Sequence, residues 1–136
     1  MHSKEHHTLV HPSGVNPQDW LRFVQLDPFP GQWSRLGLTD QDLRGLEISI
    51  MVDPTAGTPL QGTGGVRKVR FQIRDSDRGK RGAYRVFYKH FPEYGTVVLW
   101  AIISKGQSDN LSRADRNAIA KQVERLQRLL DKGVIQ

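Results

Sequence analysis

Lys68, Arg70, Arg85 and Lys105 are the residues of this 136-residue chain whose types and spacing could do chemistry on a phosphate. Arginine offers a fixed fork of donors to phosphate oxygens and stays protonated. Lysine can accept a proton only where its pKa falls, and crowding by other cations lowers it. Cleavage of RNA by its own 2′-OH needs a base for that proton, an acid for the leaving 5′-oxygen, and cations for the charge gathered on phosphorus. A cluster of these four residues could bind and cleave a strand; it could equally only bind it, because phosphate contacts need nothing more. Phe87, between Arg85 and Lys89, could stack a base or serve the core.

These residues lie in a concentrated patch. From Gly62 to Lys105 there are ten Lys or Arg and three acids, a net +7 in a chain whose total is +6. Such a surface attracts polyanions by steering and counterion release, so RNA or DNA is the first suspect. Charge alone does not separate this from a solvated basic face kept for solubility.

Other chemistries find little support. The chain has no cysteine, which removes disulfides, thiolate metal sites and thiol nucleophiles and fits a cytoplasmic protein. The longest apolar run, Val97 to Ile103, is far short of the roughly 20 residues a membrane helix needs, so no membrane association is expected. Gly62-Thr63-Gly64-Gly65 superficially looks like a phosphate loop, but it precedes a strand and reads as a hinge. Paired carboxylates are missing from the charged strands, which argues against two-metal nuclease chemistry; no metal and no cofactor is expected. His90 alone stands outside the leader, and parity sets it opposite Arg85.

The elements that must position the cations follow from periodicity. Residues 1–18 read as a flexible polar leader with four histidines, and 19–132 as one domain. Trp20 to Leu26 reads as a strand, stopped by Pro28 and Pro30. A short segment containing Trp33 follows. Thr39 and Asp42 have capping-box spacing, and Leu43, Leu46 and Ile50 give the helix behind them one buried stripe. From Val66 the period becomes two: Val69, Phe71 and Ile73 face one way, Lys68, Arg70 and Gln72 the other. Asp75 to Gly82 reads as a charged loop. The strand from Ala83 to Phe91 sets Tyr84, Val86 and Tyr88 against Arg85, Phe87 and Lys89. After a turn at Pro92 to Gly95, Thr96 to Ser104 reads as a central strand buried on both faces. Ser112 and Asp115 cap a last helix with the stripe Ile119, Val123, Leu126 and Leu130. The expectation is an α+β fold, a mostly antiparallel sheet of about four strands with helices on one face and the cations on the other.

Two ordered motifs then carry a resemblance. Gly62-Thr63-Gly64-Gly65-Val66-Arg67-Lys68-Val69-Arg70-Phe71 and Gly79-Lys80-Arg81-Gly82-Ala83-Tyr84-Arg85-Val86-Phe87-Tyr88, with Ile103-Ser104-Lys105 before a capped helix, resemble the RelE/HigB toxins of bacterial type II toxin–antitoxin systems, the HigB branch above all. The resemblance covers about Trp20 to Leu130. It implies a ribosome-dependent endonuclease of translated mRNA that inhibits translation without a metal. A helix-turn-helix, HigA-like antitoxin would neutralise it. On that implication Lys68 or Lys105 is the base, Arg85 steadies the phosphate, and Arg70 shares the catalytic surface. Arg67, Lys80, Arg81, Phe87 and Lys89 complete the RNA-binding set. Many relatives carry glutamate where Gln107 stands and aspartate where Asn110 stands. Two other readings are a toxin like the related ParE proteins, which act on DNA gyrase through the same fold, and a basic nucleic-acid-binding module without activity.

Overall fold

The computed structural model describes residues 5–9, 20–75, 80–104, 106–108 and 110–134, with only the backbone path at 5–9, 74–75 and 80–81. The chain forms β1 (Glu5–Leu9), β2 (Arg22–Leu26), α1 (Phe29–Arg35), α2 (Asp40–Val52), β3 (Thr58–Pro59), β4 (Arg67–Asp75), β5 (Lys80–Phe91), β6 (Thr96–Ser104) and α3 (Arg113–Asp131). This is the α+β class expected, with the C-terminal helix in place.

One sheet in the order β1-β2-β6-β5-β4-β3 holds all six strands, although β3 is only two residues long. The β2–β6 pair is parallel and every other pair antiparallel. Part of the leader belongs to it, since Glu5 to Leu9 pairs with Leu26 to Arg22; residues 1–4 and 10–18 lie outside the described residues. The fifth strand also starts earlier than its apolar pattern, because Arg74 pairs with Arg81 and Asp75 with Lys80. That pairing carries the hairpin into the stretch read as a charged loop.

The central strand explains the layering. Val97, Val98 and Leu99 of β6 are wholly buried, and successive strand residues point to opposite faces, so both faces need cover. Val97, Leu99 and Ile102 join Phe23, Val86 and Tyr88 in one core with α1 and α2. Val98 and Trp100 join Val24, Phe87 and Phe91 in a second core with Val123, Leu126 and Leu130 of α3. The helices therefore lie on both faces, not on one. Burial of β6 on two sides leaves no alternative, because a bare apolar face would cost about 25 cal/mol for every Å² left in water.

Local signals set the helix starts. Thr39 and Asp42 close a full capping box on α2, with Asp42 N–H donating to Thr39 Oγ1 at 3.1 Å and Thr39 N–H to Asp42 Oδ2 at 2.9 Å. Ser112 and Asp115 do the same for α3 at 3.0 and 3.1 Å. At the far end of α3 the Tyr94 hydroxyl donates to Asp131, holding the β5–β6 turn against the helix. Replacing Ser112 with alanine should lower folding stability by about 1 kcal/mol. Urea denaturation reads this as a lower midpoint at unchanged slope, and an unchanged midpoint would mean the cap is idle.

Candidate nucleic-acid interface

Strand alternation and register bring three of the expected cations together. Arg70 on β4 and Arg85 on β5 are direct cross-strand partners, and Lys68 pairs with Phe87 one step further along. All three lie on the α3 face, since Val69, Phe71 and Ile73 occupy the opposite one with α1 and α2. Arg70 is exposed, and Lys68 and Arg85 are half-buried. The α3 helix covers β2, β6 and β5, but from the β4 side it reaches only Val66. The outward residues of β4 beyond that point thus remain uncovered.

Directly opposed like charges are destabilising, on the scale of the roughly 0.2–1 kcal/mol assigned to cross-strand pairs. An anion lying between them would reverse that sign. Further out, Arg74 and Arg81 repeat the pairing in backbone register, so the hairpin carries two arginine–arginine steps along one ladder.

Other members of the expected set go elsewhere. Arg67 is on the opposite face, clamped to a loop: its Nη1 donates to Gly57 O at 2.7 Å and Thr55 O at 3.1 Å. Beside it the Tyr88 hydroxyl donates to Pro54 O at 2.8 Å and accepts from Gly57 N–H at 3.3 Å. Sequence alternation already separated Arg67 from Lys68; the signal was there, but its charge outweighed it. Lys80 opens β5 opposite Asp75. Lys105 lies outside the described residues.

Lys89 shares the face of Arg85 but turns inward. Its ammonium sits 4.9 Å from the centre of the Phe91 ring and against Gly65, where a Cβ would come within 2.9 Å of Nζ. Burial, and then the nearby Arg67 charge, push its pKa below the ordinary lysine value. A lysine so placed serves the fold, through a cation–π contact. Phe87, 8% exposed, belongs to the core under α3 and offers no open stacking face.

The glycine run is a hinge, as its position before a strand implied. Gly64 has φ +80° and is pressed on α3, with its missing Cβ 3.3 Å from Val123 Cγ1. Thr63 Oγ1 donates to Leu60 O at 2.7 Å and accepts from Val66 N–H at 3.2 Å. Arg116 Nη1 donates to Gln61 O at 2.6 Å, tying loop to helix. After β6, Gln107 Oε1 accepts from both the backbone N–H and the hydroxyl of Ser104, at 2.8 and 2.9 Å. Glutamine here needs only an acceptor oxygen, which a glutamate would also supply.

His90 lies on the α1/α2 face, away from Arg85. Burial first, and then Lys89 and Arg67, depress its pKa below 6.5. Among the described residues no group of three or more His, Cys, Asp or Glu is placed to hold a metal ion, and no helix is long and apolar enough to cross a membrane.

One feature escaped sequence reasoning. The β5–β6 register jumps from Phe87↔Ala101 to Tyr88↔Leu99, leaving Trp100 as a bulge. Consecutive residues Trp100 and Ala101 therefore both face α3. Strict alternation hides such a step.

A scan against protein-family models returns no match for this chain.

Two outcomes follow from these placements. Arg67→Ala should destabilise the fold by about 0.5–1.5 kcal/mol, the net worth of a hydrogen bond, since one of its two carbonyl partners is exposed and the other part-buried, and leave RNA affinity and its salt dependence unchanged. Loss of affinity without loss of stability would return Arg67 to the binding surface. For His90 the folded-state pKa lies below the unfolded value, so its contribution is full above pH 6.5 and is lost as pH falls below that value toward the folded pKa. His90→Gln should flatten the decline in stability between neutral and mildly acid pH, measured by urea denaturation; a decline that persists undiminished would contradict the assignment.

Proposed function

We propose that this chain is the toxin of a type II toxin–antitoxin pair and acts as a ribosome-dependent, metal-independent endonuclease on translated mRNA. The observation that carries the reading is the direct Arg70–Arg85 pair with Lys68 beside it on the open part of the α3 face. The sequence motifs around these residues resemble the HigB branch of the RelE/HigB toxins and supply the rest.

In the reaction, the 2′-oxygen of one nucleotide attacks the adjacent phosphorus while the bond from phosphorus to the 5′-oxygen breaks. Lys68 or Lys105 takes the 2′-OH proton, and a proton donated to the departing 5′-oxygen completes the balance, giving a 2′,3′-cyclic phosphate and a 5′-hydroxyl. Arg85 holds the phosphate oxygens through the step, where charge accumulates, and Arg70 shares that load. Arg81, at the start of β5 in backbone register with Arg74, is a further RNA-binding residue on the strength of the resemblance. The ribosome delivers the strand in position. A helix-turn-helix antitoxin neutralises the toxin, and the toxin acts in the cytoplasm.

The test is induced expression followed by primer extension on cellular mRNA. Cuts within translated frames should appear and fall on the order of a hundredfold or more in Arg85→Ala. Growth arrest with intact mRNA and damaged DNA would instead favour a toxin of the ParE kind.

A further inference from the structure

The Arg70–Arg85 pair has a neighbour that phosphate binding does not use. A pocket of about 200 Å³ opens beside it, walled by Phe87, Trp100, Ala101 and Ile103 from the sheet and by Leu111 and Ile119 ahead of and within α3. Ala101, Ile103, Leu111 and Ile119 are half-exposed, so the space reaches solvent. Its rim is charged. Lys68 lies across from Phe87, and Arg85 across from Ile103, which puts each cation within about 5 Å, Cβ to Cβ, of one wall. An occupant has to be apolar in its body and negatively charged a short distance away.

An unstacked nucleobase on a sugar–phosphate strand meets both conditions, whereas an aliphatic side chain meets only the first. We propose that this pocket takes one nucleobase of the RNA strand whose phosphates rest on Lys68, Arg70 and Arg85. The inference rests on the RNA reading above and adds to it the seat of a base. The bulge is what builds the seat, because it turns Trp100 and Ala101 to the same side. The indole is fixed there, with its Nε1–H donating to Gln122 Oε1 at 2.9 Å. Trp100 and Phe87 are only 7% and 8% exposed and close the depth of the seat, so the half-exposed Ala101, Ile103, Leu111 and Ile119 are what a base would lie against. Ser108 is the sole polar side chain among the lining residues, so the pocket selects by area and not by reading a base edge.

The full chain is titrated at low salt with a short 2′-fluoro oligonucleotide, which has no 2′-OH to attack, carrying one 2-aminopurine. Quenching of the 2-aminopurine is expected when it occupies the seat. Moving a single abasic site along the strand should weaken binding about tenfold at one position and little elsewhere. Ala101→Leu, which fills the pocket, should abolish the quenching with the same loss of affinity and an unchanged slope of affinity against salt. The abasic series uses the unaltered chain, so it stands even where the variant folds poorly. Binding that depends on Arg70 and Arg85 but ignores both the abasic site and Ala101→Leu would overturn the base seat, leave the phosphate surface intact, and assign the pocket to a side chain of a protein partner. No binding to the oligonucleotide either free or programmed on ribosomes, or binding indifferent to Arg70→Gln and Arg85→Gln, would overturn the RNA reading and the seat with it.

Discussion

The structure depends on a central strand that must be dry on both sides. Val97, Val98 and Leu99 of β6 are wholly buried, so the sheet needs a layer above and a layer below. Two short helices supply one layer and α3 the other. A single helix is only about 10 Å across, so α3 covers some but not all strands of a sheet whose strands lie about 4.8 Å apart. It settles over β2, β6 and β5, and the outer part of the β4–β5 hairpin is left open on that side. The bare strip is where Lys68, Arg70 and Arg85 emerge.

That geometry gives the cations different duties. On the open strip Arg70 is exposed and Lys68 and Arg85 are half-buried, and the direct Arg70–Arg85 register sets two like-charged residues on neighbouring strands. Cations at the ends of the same strands are absorbed by the fold. Arg67 clamps the loop before β3, and Lys89 lies over Phe91 against Gly65. A count of positive charge along the sequence treats all of these alike; the sheet divides them into an interface and two struts. Half-buried Lys68 and Arg85 sit at the border, next to the apolar pocket that the bulge creates.

Much of this was legible beforehand where one local signal decided the outcome. Both capping boxes formed as Thr39/Asp42 and Ser112/Asp115 imply, because their bonds lie within four residues. The α3 stripe of Val123, Leu126 and Leu130 became core, and alternation along β4 separated Lys68 and Arg70 from Val69 and Phe71. The side on which α3 packs was less accessible, since that depends on where the sheet still needs cover. Even so, reading β6 as buried on both faces already conflicted with helices on one face only. Pairing of Glu5–Leu9 with β2 is a long-range choice that the polar composition of that segment conceals. The bulge at Trp100 is invisible to a rule that assumes strict alternation, and with it the pocket.

The central claim is that the exposed arginine of the opposed pair exists for a polyanion and not for the fold. The most direct measurement is the salt dependence of single-stranded RNA binding by the natural chain and by Arg70→Gln, taken beside the folding stability of each. The account predicts that the variant folds at least as stably, binds more weakly, and has a slope of log affinity against log salt shallower by about 0.7, the share of one phosphate contact. An equal slope and affinity together with a less stable fold would contradict it.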